Sequence, residues 1–329
     1  MNKKIVVLGG GTGQSVLLSG LKKFPFDITS VVSVCDDGKS TGKLRREFNV
    51  PAMGDLRRVL IALAETEDVV EKFVNYRFKS GNELDGHTVG NILLTALTDI
   101  YGNMSNAVSQ FSKILNMRGK VIPFSDDNIV LMGEMEDGSI VEGEHNITES
   151  SKKIKRVYYK NKVKVSKEVI KSIKESDAII LSMGSVYTSI IPNLLCQEVI
   201  DAIDESNAKI IYICNIMTQP GETDDFKVSD HIELLDSYLG KRKIDIVMTN
   251  SEKISKKIQK KYETMEQKDL VKVDDKNIKI EHIKRPFVKI EDNVIRHDSI
   301  KVGLEIMNIL IKWQFFKKSV DLRLGICYY

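Results

Sequence analysis

What the chain lacks narrows its class before any motif is considered. Four cysteines are scattered over 329 residues, and Cys35, Cys196, Cys214 and Cys327 show no Cys-x-x-Cys spacing, which argues against a disulfide scaffold. Cys35 and Cys214 fall inside apolar runs of the kind that form buried strands, so reduced thiols are expected. Histidine is equally sparse. His87, His145, His231, His282 and His297 form neither His-Glu-x-x-His nor a Cys/His ligand spacing, which leaves no pattern for a dedicated zinc site. Charge of one sign is missing as well: 49 basic residues against 46 acidic leave a net +3, so no global field draws the chain to nucleic acid or to an anionic membrane. No apolar run approaches the ~20 residues that span a bilayer, and no basic segment followed by an apolar stretch opens the chain. A cytoplasmic protein without membrane insertion is the expectation. No internal repeat of fixed period is present.

What is there suits a large folded core. The composition is 42% hydrophobic, enough for one large or two modest domains. Continuous runs of β-branched and apolar residues at 5–8, 28–35, 178–183, 209–214 and 244–248 predict strands covered on both faces, and amphipathic helices are predicted at 15–23, 193–204 and 251–265. That alternation predicts an α/β fold with a doubly wound, mainly parallel sheet. A helical insertion is expected over about 54–117, and a small β-hairpin region over about 120–160 with a turn at Asp137 and Gly138. Because strands before Asp36 and after Asp177 are needed together to complete the sheet, residues 1–313 are expected to form one domain. A helix is predicted over 299–312, and the tail at 314–329 does not continue its period.

In an open parallel sheet, ligands bind beyond the carboxyl ends of the strands, and the five predicted strand tips share a composition. They read GGGTGQS, DDGKSTGKLRREF, SMGSVYTSIIPN, CNIMTQPGET and, last, Thr249-Asn250. Any one of these is ordinary turn chemistry. Together they predict a single crevice rich in hydroxyl and backbone N–H donors, suited to a nucleotide phosphate or sugar. The first loop is a phosphate cradle at a helix start, yet it lacks the Walker lysine, and Gln14 stands where a dinucleotide fingerprint counted from Gly9 has its last glycine. Asp36 lies where a ribose-binding carboxylate would stand. Asp37, Gly38, Ser40 and Thr41 lengthen that loop, and Lys43, Arg45 and Arg46 follow, a mixture suited to a second anion or to Mg²⁺ held by Asp36 and Asp37 against a diphosphate. An Asx turn at Asp37 with the arginines on a solvated helix face fits the same residues.

Further along, Asp55, Arg57 and Arg58 open a helix and would set positive charge near the crevice or lie as paired surface. Gly86, His87, Thr88, Gly90 and Asn91 crowd another helix start, where glycine costs up to ~1 kcal/mol against alanine. Ligand approach or helix packing would explain it, and a lone histidine there suits a base, a phosphate donor or a structural residue alike. Near the end, Asp298 or Ser299 caps the last helix with Arg296 beside it, and a phosphate added to Ser299 would compete for that arginine. The Lys-, Arg- and Tyr-containing stretch 151–165 is an exposed strand face, not a nucleic-acid strip, and 251–269 is a solvated helix face with Ile254 and Ile258 inward.

The segments VVLGGGTG, DDGKSTGKLRREF, GDLRR, GHTVGNILLTALTDI, GSVYTSIIPNLL, YICNIMTQPGET and VIRHDS together resemble the bacterial gluconeogenesis factor family, relatives of the phospholactate transferase that builds a deazaflavin cofactor. The likeness runs from residue 6 to about residue 300. It implies a Rossmann-like fold and a nucleotide or UDP-sugar ligand, with Gly10, Gly11, Thr12 and Gly13 at the diphosphate and Asp36 or Asp37 at ribose or metal. Asn215 and Thr218 would contact base or sugar, with Ser185 and Arg296 also in the site. Lys39, Ser40, His87, Asn91, Tyr187 and Thr188 are further crevice candidates. The family's association with cell shape, cell-wall precursors and growth on non-sugar carbon implies a UDP-N-acetylglucosamine-binding regulator. The transferase relatives imply the alternative of an enzyme, with Asp36 and Asp37 catalytic and Mg²⁺ as cofactor; a homo-oligomer stays open. Where the family has glycine and serine in the second loop, this chain has Lys39 and Thr41, and Lys39 adds a cation that could replace or exclude a metal.

Overall fold

The computed structural model describes residues 2–79, 81, 83–150, 152–291 and 293–323, and of Lys39 and residues 314–323 the backbone alone. Strand β1 (Lys3–Gly9) runs into helix α1 (Gly11–Leu21), β2 (Phe26–Val32) into α2 (Lys39–Phe48), and then come α3 (Gly54–Leu63), α4 (Asp68–Asn75), α5 (Val89–Tyr101) and α6 (Met104–Ile114). Next are β3 (Lys120–Pro123), β4 (Leu131–Met135), β5 (Ile140–Glu142), α7 (Glu144–Glu149), β6 (Ile154–Tyr159), α8 (Lys167–Lys174) and β7 (Ala178–Leu181). A π-helical turn, Val186–Ile190, and a 3-10 turn, Ile191–Leu194, precede α9 (Gln197–Glu205), β8 (Lys209–Ile213), α10 (Val228–Tyr238), β9 (Ile246–Asn250) and α11 (Lys256–Met265). The chain continues through β10 (Glu281–Arg285), β11 (Val288–Glu291), β12 (Val294–His297) and α12 (Ser299–Arg323).

Seven strands build one parallel sheet in the order β3-β2-β1-β7-β8-β9-β10. The order reverses beside β1, so the loops after β1 and β7 part to opposite faces and leave a crevice at their carboxyl ends. The middle strands are sealed on both faces, which is why their sequences are unbroken apolar runs: Ile5, Val6, Val7 and Leu8 are buried, as are all four residues of β7. A smaller antiparallel sheet, β5-β4-β6, carries α7, and β11 pairs with β12 as a hairpin. Cys35, Cys196 and Cys214 are free and buried, and burial pushes their thiols up to about 12, 11 and 12; Cys327 lies outside the described residues. Among the described residues no helix is long and apolar enough to cross a membrane.

Side chains and missing side chains together hold β1 to its neighbours. Gln14, fully buried, donates from Nε2 to the carbonyls of Val7 at 3.0 Å and Val31 at 2.9 Å and to the Ser30 hydroxyl at 3.0 Å. It thus ties α1 to β1 and β2, which explains a polar residue where the dinucleotide fingerprint wants glycine. Asn193 does the same from the other face, donating to the Gly9 carbonyl at 3.1 Å and the Ser189 carbonyl at 2.8 Å. A Cβ on Gly13 would overlap the Met183 carbonyl, and one on Gly20 would overlap Ser299 at the start of α12. Only glycine lets α1 sit this close to the loop after β7.

Several boundaries differ from expectation. Helix α1 starts at Gly11, not at 15, because Gly11 takes a φ of 65° open to glycine and turns the loop straight into the helix. The second loop contains α2. Within the helical insertion, α4 stops at Asn75, where Tyr76 turns extended and Arg77 bridges to Thr88. Strands β3 and β10 extend the main sheet, where a four-residue segment and a largely exposed one offered a weak pattern. The last helix does not end at 312: its backbone runs to Arg323, and Trp313 packs against the core with Lys209 Nζ 5.9 Å from its ring centre.

Adding one methyl group at the crossing tests this packing. Gly13→Ala should cost about 1–3 kcal/mol through overpacking, measured as a lower urea midpoint at unchanged m-value.

Candidate functional site

The strand tips do not share one mouth. A cleft of about 580 Å³ opens at the switch point, walled by Gly10, Gly11, Thr12 and Gly13 after β1, by Gly184, Ser185 and Thr188 after β7, and by Asn215 and Thr218 after β8. The β11-β12 hairpin closes it with exposed Arg296, and α11 adds Tyr262. The tip of β2 is elsewhere. Asp36, Ser40, His87 and Asn91 line a second cleft of about 560 Å³, bounded by α2, α3 and the segment before α5. The two clefts share no lining residue. β2 lies on the far side of β1 from β7, so its loop leads away from the switch point. Thr249 and Asn250 border neither cleft: Thr249 bonds His282 at 2.6 Å and Asn250 caps its own turn at Glu252.

Within the first cleft, several predicted ligand contacts are committed to the wall itself. Asn215 exchanges two hydrogen bonds with the backbone of Gly184, donating to its carbonyl at 2.6 Å and accepting from its N–H at 3.1 Å. Thr218 accepts from the Asp269 N–H at 2.9 Å, strapping the loop after α11 to the β8 tip. Ser185 accepts from the Thr188 N–H at 2.9 Å and donates to the Glu222 carboxylate. Tyr187 is buried and lines neither cleft, so it belongs to the core and not to the crevice. Tyr262, expected on a solvated helix face, is also buried, and its hydroxyl accepts from the Ile295 N–H at 2.9 Å. Ser299 sits where α12 crosses Gly20 of α1.

Around Asp36 the geometry revises the sequence-based roles. Asp36, not Asp37, makes the Asx turn, accepting from the Gly38 N–H at 2.9 Å, and its other oxygen accepts from Thr41 at 3.4 Å. Asp37 turns to α7 and accepts from the His145 N–H at 2.8 Å. Two carboxylates aimed at different backbones do not fit a shared cation, and among the described residues no three acidic, His or Cys side chains converge as a metal set. The side chain of Lys39 lies outside the described residues. Arg45 points inward, not along a solvated face, donating to the Cys35 and Asp36 carbonyls at 3.0 Å and to Asn128. Gly90 is glycine for packing, since a Cβ there would meet Val74 at 2.6 Å and Arg57 at 2.7 Å.

Asp55, read from sequence as a helix-start residue, is the partition between the clefts. Its carboxylate accepts from the Gly11 N–H and pairs with Arg58, which lines the second cleft. Burial raises its pKa against the pull of Arg58. Burial, with Asp36 and Asp55 nearby, also pushes Glu144 up to about 8, and burial pushes Glu222 up to about 7. Glu144 therefore faces the first cleft largely protonated at neutral pH, able to donate to an anionic oxygen. No local pattern marked it, because α7 reaches the cleft only through the folding of the smaller sheet.

A carboxyl raised above its unfolded value holds its proton more tightly when folded, so its stabilisation is complete below the unfolded value near 4.3 and is lost as pH rises toward the folded one. The protein should lose stability from pH 5 to 8, and Glu222→Gln should flatten that decline by about 1–3 kcal/mol, read from urea unfolding across the range. A decline unchanged in the variant would place the titration elsewhere.

Comparison with known proteins adds an independent line. The profile of the family described as 2-phospho-L-lactate transferase CofD matches residues 5–289. The chain is 45% identical over 309 residues to the gluconeogenesis factor of Halalkalibacterium halodurans, covering 93% of this chain and 96% of that one. It is 45% identical over 311 residues to the gluconeogenesis factor of Bacillus subtilis, covering 93% and 98%. A crystal structure of a Bacillus halodurans protein superposes with a TM-score of 0.91 at 45% identity, over 93% of this chain and 100% of that one. With the switch-point cleft, the glycine loop and these matches agreeing, the chain belongs to the gluconeogenesis factor family, within the wider kinship of 2-phospho-L-lactate transferase.

Proposed function

We propose that the first cleft binds a nucleotide sugar of the UDP-N-acetylglucosamine type, and that the protein is a binding regulator coupling carbon metabolism to cell-wall synthesis and cell shape. The observation that carries this reading is the cleft's construction: Gly10 to Gly13 on one wall and Arg296 on the other, across about 580 Å³. That volume suits a nucleotide-sized ligand. Backbone N–H groups at the start of α1 favour a diphosphate, and a guanidinium opposite adds a charge-assisted donor. Protonated Glu144 supplies a further donor, and Tyr262 with the apolar Ile216 and Met217 offers surface for a base.

A cytoplasmic setting, with a soluble nucleotide as ligand and no nucleic-acid partner, follows from the same reading. So does binding without Mg²⁺, since Asp36 and Asp37 diverge. The transferase alternative requires an acceptor hydroxyl to attack a phosphoanhydride phosphorus, forming one P–O bond, breaking another and passing its proton to a carboxylate. Asp37, engaged with α7, is poorly placed for that proton.

Thermal unfolding with UDP-N-acetylglucosamine, GDP and NAD, each with and without Mg²⁺, separates the alternatives. The UDP-sugar alone should stabilise without metal, by about 2.7 kcal/mol at a hundredfold excess over its Kd. Arg296→Gln should weaken it about 10- to 100-fold at unchanged intrinsic Tm. Stabilisation by GDP that depends on Mg²⁺, with turnover of a deazaflavin acceptor, would replace the regulator with the transferase.

A further inference from the structure

We infer that the second cleft, between α2, α3 and the segment leading into α5, is a separate binding site for a small phosphate monoester. This goes beyond the nucleotide-sugar reading and does not rest on it, because the clefts have no residue in common and Asp55 stands between them.

The charge balance of the cleft favours an anion. Lys43, Arg57, Arg58 and Arg77 face the cleft against the carboxylates of Asp36 and Asp85. Both carboxylates have local partners: Asp36 bonds Gly38 and Thr41, and Asp85 accepts from the Gly81 N–H at 3.3 Å. Arg57 is the unusual member. Only 7% exposed, it is held by neutral amide oxygens, from Nε to Asn91 at 3.1 Å and from Nη1 to Asn75, and it makes no ion pair among the described residues. Burial, with Arg58 and Arg77 beside it, depresses its pKa to about 10, and the nearby Asp55 and Asp36 only partly oppose that shift. A buried cation without a direct ion pair is costly. A bound dianion would supply that pairing, and the guanidinium fork suits phosphate oxygens.

The backbone adds to this. Helices α2 and α3, each of 10 residues, both begin at this cleft, with Ser40 and Gly54 in their first turns, and neither start is capped by a side chain. Their first-turn N–H groups and dipoles favour an anion. Ser40 and His87 are bonded to each other at 3.1 Å, and burial with Lys43 nearby lowers the pKa of His87. A hydroxyl and a neutral imidazole have one O–H and one N–H between them; the mutual bond uses one and leaves the other for a ligand. About 560 Å³ exceeds what a bare phosphate fills, leaving room for a small organic portion.

Calorimetric titration of the full chain with glycerol 3-phosphate, and with inorganic phosphate as the minimal probe, tests the site. Saturable one-site binding is expected, weakening with salt, and unchanged when the first cleft is saturated with UDP-N-acetylglucosamine. Replacing the outer cations together, Lys43→Gln with Arg77→Gln, should weaken it about tenfold or more, and Ser40→Asp should abolish it. Each variant should keep its Tm and its affinity for the UDP-sugar. No saturable binding of either probe overturns the site. So does undiminished affinity in both variants, or loss on Arg296→Gln with competition by the UDP-sugar, which would put the anion in the first cleft. Phosphate binding that persists where the UDP-sugar fails to bind would leave this site standing and remove the function proposed for the first.

Discussion

The whole arrangement depends on how closely α1 can approach the loop after β7. Strand order reverses beside β1, so the backbone must leave β1, turn, and start a helix within two residues while the neighbouring strand departs to the other face. The left-handed φ of Gly11 makes the turn, and the absence of a side chain at Gly13 lets α1 rest on the Met183 carbonyl. Gln14 and Asn193 then hold the end of β1 from both faces. The amide N–H groups of those buried side chains are spent on backbone carbonyls, which offsets part of the cost of burying them, while Gln14 Oε1 and Asn193 Oδ1 have no partner among the described residues. The result is a helix N-terminus presented at a fixed depth.

Electrostatics divides the space beyond that helix. Asp55 takes the Gly11 N–H and pairs with Arg58, so one carboxylate links a wall residue of the first cleft to a wall residue of the second. Burial there raises nearby carboxyls, Glu144 to about 8 and Glu222 to about 7. Of the two, Glu144 lines the first cleft, where a raised pKa lessens the repulsion of an anion. On the far side of Asp55 the balance is reversed, with arginines outnumbering their local counter-charges. A glycine-walled cleft and a cationic cleft stand to either side of one ion pair.

Much of the fold was legible in the chain. Unbroken apolar strands identified the parallel sheet, and polar strand tips marked the sheet edge where the clefts open. What escaped was long-range or masked by composition. β10, with Glu281, Lys284 and Arg285, is too exposed to read as a strand. Tyr262 looked like part of a lysine-rich solvated helix, although it faces the cleft. Glu144 arrives from the smaller sheet, and no spacing links it to the glycine loop. The largest revision, two clefts in place of one, turns on which side of β1 each strand lies, a property of topology that loop composition cannot carry. Asp36 and Asp37 show the finer limit: adjacent identical residues turned to different backbones, because an Asx turn needs one and the start of α7 takes the other.

A crystal structure of the protein with UDP-N-acetylglucosamine tests the central claim most directly. The account predicts the two phosphates within hydrogen-bond reach of the amides at Gly11 to Gly13, with the Arg296 guanidinium turned onto them and the uracil over Tyr262. Density for the ligand only among Arg57, Arg58 and Arg77, or none near the start of α1 with Arg296 still facing solvent, would contradict it.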